Sequence, residues 1–207
     1  MKTLNIIQAR MGSTRLPGKV LEPIYKGMCV IDIILEKLKG LDNVLVVPSG
    51  EAVLFNQRFN VPIIGGSETN VFSRFITAIE HYKPQVAVRI CADNCFIDRN
   101  MVTGISEKVR KGAYYASNWH DVEGTKVEAF DPVILLDIAE HTTIFFRGYE
   151  LNSFDAGING NNIPDLALDT PEDLKIIKKI FKHFNKIDIT IEDLGAAYKT
   201  NRRLFET

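Results

Sequence analysis

Short runs of apolar, mostly β-branched residues alternate along this chain with longer segments of helical periodicity. The runs predict strands, and the periodic segments predict amphipathic helices. Strands are predicted at 4–7, 44–47, 62–64, 86–90 and 166–168. Helices are predicted at 30–38, 70–82 and 98–111, and from residues 170 and 190 onward. This alternation is typical of βαβ units, so we predict an α/β protein with a mostly parallel sheet.

Residues 113–150 show a less regular pattern. Two strands are predicted there, at 113–116 and near 126–130, followed by a short helix at 132–140. Beyond this region the helix starts are clearly marked. Thr170 precedes Pro171 and an acid at the third helical position, and Thr190 precedes Asp193 with the same spacing. Both patterns are typical of capped helix N-termini.

The length and composition indicate one globular domain, residues 1–207. The chain has 207 residues, of which 45% are hydrophobic and 25% charged, and these values are ordinary for such a domain. A formal net charge of −1 argues against a general nucleic-acid-binding protein, which usually carries a basic excess. No run approaches the roughly 20 apolar residues of a membrane span. Arg10 comes too early for the apolar part of a signal peptide, so we expect a cytoplasmic protein with no membrane partner.

The cysteines give no sign of a disulfide framework or a metal cluster. There are three, Cys29, Cys91 and Cys95, and no cluster of Cys or His completes a zinc site around them. We therefore expect free thiols that pack in the core. No arrangement of Ser, His and Asp, or of Cys and His, is recognisable as a nucleophilic site.

The loop after the first predicted strand concentrates groups that bind anions. Residues 6–20 read IIQARMGSTRLPGKV, and two glycines there allow tight turns and close approach to a ligand. Successive backbone N–H groups in such a loop can form an anion-binding concavity. The side chains that accompany them are Arg10, Ser13, Thr14, Arg15 and Lys19. Because ligands of parallel sheets bind at the carboxyl ends of strands, we predict that this loop holds the triphosphate of a nucleotide.

The spacing of this loop differs from those of two common phosphate-binding motifs. A Walker A loop has four residues between its glycines and a Ser or Thr after its lysine. Here five residues separate Gly12 from Gly18, and Val20 follows Lys19. The loop does not match G-x-G-x-x-G either. From the spacing alone, a solvated basic turn remains an alternative.

Aspartates follow two predicted strands at the same edge of the sheet. Asp93 and Asp98 come after strand 86–90, and Asp169 comes after strand 166–168. Mg²⁺ is usually held by one or two carboxylates together with phosphate oxygens. Asp98 fits the N-cap of the next helix, Asp169 fits a cap or a metal ligand equally well, and Asp93 has no capping role. Metal and cations of this kind suit in-line attack on phosphorus.

Several segments, taken in order, resemble the cytidylyltransferases that make CMP-activated acidic sugars. The opening IIQARMGSTRLPGKVL is similar to that of the spore coat polysaccharide biosynthesis protein F group, and of CMP-KDO and CMP-acylneuraminate synthetases. GSETNVFSRFITAI resembles the group's segment after the third strand, and VAVRICADNCFID its central metal-binding segment. YYASN and KVEAFD resemble its sugar-side segments, and LALDTPEDLKII its late metal-binding segment.

The resemblance implies a three-layer αβα, Rossmann-like nucleotidyltransferase domain of GT-A-like fold. The implied reaction transfers CMP from CTP to an acidic sugar or related acceptor, releases pyrophosphate and serves surface polysaccharide biosynthesis. Mg²⁺ is the implied cofactor. The implied partners are CTP and a small sugar-type acceptor, with no nucleic acid, and a homodimer is the assembly that the resemblance suggests.

The resemblance also assigns roles to individual residues. The implied nucleotide-binding residues are Ala9, Arg10, Gly12, Ser13, Arg15, Lys19, Ser49 and Arg74. The implied catalytic residues are Arg10, Lys19 and Asp93. Asp93 and Asp169 would hold Mg²⁺, and Asn118 and Glu128 would face the acceptor.

Other functions stay open at this level. The loop does not identify the base, so a sugar-phosphate or cofactor nucleotidyltransferase using another nucleotide is an alternative. A GT-A glycosyltransferase usually shows Asp-x-Asp, and the sequence Asp93-Asn94-Cys95 counts against it. The family's R-E-H-x-T-like segment is not intact at 140–152, which reads EHTTIFFRGYELN. A catalytically silent nucleotide-binding subunit is therefore a further alternative.

Overall fold

The predicted strands assemble into one mixed sheet. A computed structural model of the protein describes residues 2–118, 122–133 and 163–207. Within these ranges the sheet has six strands. They are β1 (Thr3–Gln8), β2 (Asn43–Pro48), β3 (Ile63–Gly66), β4 (Val86–Cys91), β5 (Tyr115–Ser117) and β6 (Val127–Phe130). The strands predicted in the less regular region correspond to β5 and β6.

The strand order is β3-β2-β1-β4-β6-β5. Strands β1 to β4 pair in parallel, whereas β6 runs antiparallel to both β4 and β5. The prediction of a mostly parallel sheet is therefore confirmed. The order reverses between β1 and β4, which leaves a crevice at the carboxyl ends of these two strands. The loop after β1 and the segment after β4 both lie at this crevice.

Helices follow most of the strands. They are α1 (Val30–Lys37), α2 (Ala52–Arg58), α3 (Val71–Tyr82), α4 (Arg99–Arg110), α5 (Pro171–Phe184) and α6 (Ile191–Thr200). The caps predicted at Asp98, Thr170 and Thr190 are confirmed, since each side chain accepts a backbone N–H in the first turn of its helix. Asn70 caps α3 in the same way.

Helices cover both faces of the sheet. On one face, Phe75, Ala78 and Ile79 of α3 pack against the even-numbered side chains Leu4 and Ile6 of β1. On the opposite face, Ile7 belongs to a larger core with apolar residues of α1, α2, α4, α5 and α6. Neighbouring residues of β1 thus point into different cores, as the period of two along a strand requires. The three-layer αβα architecture is confirmed.

The structure corrects the sequence interpretation at two places. Residues 166–168 are not a strand, because Leu166 N donates to Glu123 O at 3.1 Å and Leu168 N to Asp93 O at 3.0 Å. The acceptors, Glu123 O and Asp93 O, lie outside the strands of the sheet. Leu166 and Leu168 are buried like alternate residues of a strand, but their N–H groups bond to turns and not to a neighbouring strand. Helix α2 was not predicted. Of its residues only Phe55 is buried, which leaves no apolar stripe to detect.

Some predictions fall outside the described residues. Residues 134–140 of the predicted helix at 132–140 do so, as does the altered segment 140–152. That residues 1–207 form one domain stays a prediction. No helix in the described ranges is both long and apolar enough to cross a membrane.

Candidate functional site

The loop after β1 has a shape fixed by its own hydrogen bonds. Ser13 N and Gly18 N both donate to Met11 O, at 2.9 and 3.0 Å. Met11 N in turn donates to Glu51 Oε2 at 2.9 Å, which ties the loop to the turn after β2. Gly18 has a φ of 73°, a conformation that favours glycine. The loop then enters a 3-10 turn that begins at Lys19.

A cleft of about 250 Å³ opens between this loop, the ends of β1 and β4, and the start of α3. Eight of its lining residues were assigned from the sequence to the nucleotide or the metal: Ala9, Arg10, Ser13, Arg15, Lys19, Arg74, Asp93 and Asp169. Its other lining residues are Gln8, Thr14, Val20, Val71, Cys91 and Ala92. Segments more than 150 positions apart in the sequence thus meet in one place.

Lys19 joins the two predicted metal ligands at the floor of this cleft. Its ammonium nitrogen lies 3.1 Å from Oδ2 of Asp93 and 2.8 Å from Oδ1 of Asp169. Arg15 Nη2 lies 2.7 Å from the other oxygen of Asp169. Lys19 is only 9% exposed, so its charge is held in place against the two carboxylates.

The backbone on either side directs both carboxylates into the cleft. Ala92 N donates to Gln8 O at 2.9 Å, so the β4 segment continues alongside β1 up to Asp93. Thr170, not Asp169, caps α5, because Asp173 N donates to Thr170 Oγ1 at 3.2 Å. The capping alternative for Asp169 is therefore excluded. Asp98 instead caps α4 with a bond from Asn100 N of 2.7 Å, as predicted.

The pKa of the Asp169 carboxyl is lowered from its ordinary value. Burial alone would raise this pKa, because it disfavours the charged form. The hydrogen bond and charge of Lys19 and the charge of Arg15 outweigh burial. Asp169 is consequently a carboxylate at neutral pH and can act as a ligand for a cation.

The donor set suits a hard divalent cation. Oxygens of Asp93 and Asp169 contact the same ammonium nitrogen, so they are close enough together to share one positive ion. No third His, Cys, Asp or Glu joins them in a cluster within the described ranges. Mg²⁺ fits such a pair, because it is commonly held by one or two carboxylates and completes its octahedron with water and phosphate oxygens.

Arg74 is a buried cation at the wall of the cleft. It is 1% exposed, and burial, together with the charge of Arg10, lowers the pKa of its guanidinium. Within the described part of the chain its Nε and Nη1 atoms have no hydrogen-bond partner. A Cβ atom on Gly66 would lie 2.7 Å from Arg74 Cγ, so a glycine at the end of β3 makes room for this side chain.

Cys91 lines the cleft but offers no nucleophile. Burial raises the pKa of its thiol to about 12, so the thiol is protonated at neutral pH. Cys29, Cys91 and Cys95 are all free thiols, as predicted. Cys29 and Cys95 pack in the core, but Cys91 is only partly buried and lines the cleft, so the expectation of core packing is wrong for this residue.

Two assigned nucleotide residues, Gly12 and Ser49, do not line the cleft. Ser49 lies in the turn after β2 and packs closely against β3. A Cβ atom on Gly65 of β3 would lie 3.2 Å from the Cα atom of Ser49. Glu51, at the end of this turn, was not singled out from the sequence. Its bond to the loop at Met11 N carries no local sequence signal, because the two residues are brought together only by the fold.

The two residues assigned to the acceptor are buried beside the cleft rather than in its wall. Asn118 is 0% exposed; its amide donates to Thr125 O and accepts from Val127 N. Glu128 is paired with Arg89 and accepts from Tyr115 Oη at 2.8 Å. Arg89 Nε donates to Gln8 Oε1 at 3.3 Å, and Gln8 lines the cleft. Contact of either residue with an acceptor stays a prediction.

A family comparison agrees with this geometry. The model of a family described as cytidylyltransferase matches residues 4–153. The chain belongs to the cytidylyltransferase family. It is accordingly a nucleotidyltransferase that uses CTP, and the resemblance seen in its motifs is confirmed.

Two relatives align along nearly the whole chain. The spore coat polysaccharide biosynthesis protein SpsF of Bacillus subtilis is 31% identical over 92% of this chain and 91% of its own length. An uncharacterized protein of Methanocaldococcus jannaschii is 29% identical over 94% of this chain and 89% of its own.

Solved structures show the same fold. A cytidylyltransferase from Leptospira borgpetersenii superposes with a TM-score of 0.88 at 21% identity, covering 100% of this chain and 98% of that one. A CMP:2-keto-3-deoxy-manno-octonic acid synthetase complexed with CTP has a TM-score of 0.70 at 14% identity, covering 89% and 100%. At these identities the likeness concerns the fold.

Proposed function

We propose that this cytidylyltransferase transfers CMP from CTP to an acidic sugar or related acceptor and releases pyrophosphate. The observation that carries the proposal is the contact of Lys19 with both Asp93 and Asp169 at the floor of the cleft. This contact brings two carboxylates, a lysine and the loop after β1 together in the crevice between β1 and β4, where the strand order reverses. Such a site can bind a polyphosphate and a divalent cation together.

The nucleotide would occupy the cleft along the loop. Arg10, Ser13, Arg15 and Lys19 would hold the triphosphate, since guanidinium and ammonium groups grip phosphate oxygens strongly. Gly12 and Ala9 would contribute backbone contacts. Arg74 and Ser49 would lie near the nucleoside, and the unpartnered nitrogens of Arg74 are the donors that a bound nucleotide can satisfy.

Asp93 and Asp169 would hold Mg²⁺. When bound there, the ion supplies positive charge to the phosphate oxygens and fixes the triphosphate for in-line displacement. In the free protein Lys19 and Arg15 together offset the charge of the two carboxylates, and both side chains line the cleft in which the phosphates would lie. Arg10 and Lys19 would stabilise negative charge that develops on the phosphoryl oxygens in the transition state.

The reaction needs no covalent intermediate on the protein. A hydroxyl of the acceptor forms a bond to the α-phosphorus, the bond to the bridging oxygen of the β-phosphate breaks, and pyrophosphate leaves with that oxygen. The acceptor hydroxyl loses its proton to solvent or to a carboxylate at the cleft. The protonated thiol of Cys91 takes no part in these steps.

The proposed acceptor class rests on the sugar-side motifs and on the relative from Bacillus subtilis, whose name places it in spore coat polysaccharide biosynthesis. We propose a corresponding role in surface polysaccharide biosynthesis. Glu128 is held by Arg89 and Tyr115, and Arg89 also bonds to Gln8 at the cleft. Glu128 would orient the acceptor through this chain of polar contacts.

Pyrophosphate release is the direct test. The purified protein is incubated with Mg²⁺, with CTP, UTP, ATP or GTP, and with a panel of sugar acids, neutral sugars and polyols. We expect release with CTP and a sugar acid. Release with another nucleotide only would overturn the assignment of the base, and release with neutral acceptors only would overturn the acceptor class. No turnover with any pair, by a protein that binds CTP, would indicate a silent subunit.

A further inference from the structure

The turn at residues 122–126 lies between the two segments that carry the metal-binding aspartates. On one side, Phe96 N donates to Gly124 O at 3.0 Å, and Asn94 Nδ2 donates to Lys126 O at 3.0 Å. On the other side, Leu166 N donates to Glu123 O at 3.1 Å. The turn therefore bonds both to the segment after Asp93 and to the segment before Asp169.

Gly124 is where this turn and the second segment come closest. Its φ is +89°, and a Cβ atom placed on it would lie 2.4 Å from both the C and O atoms of Leu166. The same Cβ would lie 2.8 Å from Ala167 N. All three contacted atoms are backbone atoms, so a side chain at this position would force the Leu166 segment away from the turn.

The displacement would be transmitted to the cleft. Only Ala167 separates Leu166 from Leu168, whose N–H donates to Asp93 O at 3.0 Å, and Asp169 follows directly. The distance between the backbones of the two aspartate segments is thus defined by this bond and by the packing against Gly124. A shift of the Leu166 segment would separate the carboxylate of Asp169 from that of Asp93.

Buried polar side chains hold the turn itself rigid. Thr125 and Asn118 are both 0% exposed. Thr125 Oγ1 donates to Val122 O at 2.6 Å, and the Asn118 amide bonds to Thr125 O and Val127 N. Because these bonds are buried, breaking them to let the turn adjust would leave polar groups unsatisfied.

We propose that Gly124 is a positioning residue that sets the separation of the Asp93 and Asp169 carboxylates for the divalent cation. The proposal rests on the proposed function, and it assigns to the rigid turn at 122–126, including Asn118, a role in the geometry of the metal site. Groups that orient metal ligands typically change metal affinity about 10- to 100-fold when they are altered.

Gly124→Ala has a matched control in Gly40→Ala. Gly40 has a nearly equal φ of +82°, but a Cβ there would meet nothing within 4 Å, and it lies between α1 and β2, away from the cleft. Both substitutions strain a left-handed backbone position. Only Gly124→Ala also pushes on the Leu166 backbone.

The experiment measures Mn²⁺ binding, as a paramagnetic probe of the divalent site, in the presence of CTP for both variants and the wild type. CTP binding without metal is measured in parallel. We expect Gly124→Ala to weaken Mn²⁺ binding about 10-fold or more and to leave metal-free CTP binding within about 3-fold, whereas Gly40→Ala changes neither. Equal Mn²⁺ affinity in Gly124→Ala and wild type would overturn the proposal, as would an equal loss in Gly40→Ala.

A second variant covers the case in which Gly124→Ala does not fold. Asn94→Ala removes the bond to Lys126 O without steric conflict, and we expect weaker Mn²⁺ binding in the same assay. Unchanged Mn²⁺ affinity of a folded Asn94→Ala would count against the turn as a positioning element. If the wild type binds CTP but no Mn²⁺, the proposed metal function itself fails, an outcome distinct from the two above.

Discussion

The ammonium nitrogen of Lys19 lies 2.8 Å from Oδ1 of Asp169, across 150 positions of sequence. The same nitrogen contacts Asp93 at 3.1 Å. Lys19 therefore bridges two carboxylates that would otherwise repel each other, and Arg15, 2.7 Å from the other oxygen of Asp169, supplies the second positive charge. The contact joins the loop after β1 electrostatically to Asp93 and Asp169, the pair proposed to hold the metal ion.

Lys19→Met should have opposite effects on nucleotide binding and on metal binding. CTP binding should weaken about 10-fold or more, because a charge-assisted hydrogen bond contributes roughly 1.5–3 kcal/mol. Binding of Mn²⁺ without nucleotide should tighten, because the carboxylates lose their internal counter-charge. Calorimetric titrations of each ligand measure both effects. Lys39→Met is the control, since Lys39 lies in the exposed turn after α1 and forms an ion pair with Glu36, away from the cleft; equal CTP affinity in both variants would contradict the role of Lys19.

Asp93→Asn and Asp169→Asn should each lose turnover while the protein stays folded. The amide preserves the shape of the side chain but removes the charge that holds a divalent cation. Asp98→Asn is the matched control, because Asn caps a helix about as well as Asp, and Asp98 caps α4 outside the cleft. Pyrophosphate release and circular dichroism provide the two readouts. Near-normal turnover by Asp93→Asn would exclude it as a metal ligand.

Arg74→Met should stabilise the free protein and weaken nucleotide binding. The buried guanidinium has nitrogens without partners within the described ranges, so removing it relieves a desolvation cost of about 1–3 kcal/mol. The same nitrogens are then unavailable to CTP, and affinity should fall about 10-fold or more. Urea unfolding and calorimetry measure the two quantities. Arg203→Met, at an exposed position of the turn Arg202–Phe205, should change neither; lower stability together with unchanged CTP affinity in Arg74→Met would contradict the assignment.

Lys37 should make stability depend on pH in the alkaline range. It is 4% exposed and donates to Ile97 O at 2.9 Å, and burial lowers its pKa from 10.5 to about 8. Between these values the unfolded chain binds more protons than the folded one, so stability should rise with pH across this window. The rise attributable to Lys37 is about 3 kcal/mol.

Urea unfolding from pH 7 to pH 10.5 tests this prediction. Lys37→Met should be more stable than the wild type at pH 7, and the difference should shrink as the pH rises. A difference that does not vary with pH would mean that the Lys37 pKa is not lowered.

Much of the fold was predictable because its signals are local. The apolar runs of β1, β2 and β4 are buried on both faces, and the helices α3 to α6 begin at residues whose side chains accept a backbone N–H in the first turn. The location of the cleft followed as well, since the carboxyl ends of parallel strands meet at one edge.

Other features depend on contacts between distant segments. The leucines at 166 and 168 are buried as in a strand, but their N–H groups bond to Glu123 O and Asp93 O. Helix α2 shows only one buried residue and so lacks a periodic signal. The close approach of Gly124 to Leu166 and the bond from Met11 N to Glu51 have no counterpart in local sequence, because only the folded chain brings these residues together.

The most direct test of the account is the melting temperature of the protein with CTP, UTP, ATP and GTP, each with and without Mg²⁺, for the wild type and Asp93→Asn. A ligand present at about 100 times its dissociation constant, and bound only by the native state, adds about 2.7 kcal/mol of stability. We predict a large rise in melting temperature with CTP that depends on Mg²⁺ and is lost in Asp93→Asn. No rise with CTP, or an equal rise in Asp93→Asn, would contradict a CTP site built on the contact of Lys19 with the two aspartates.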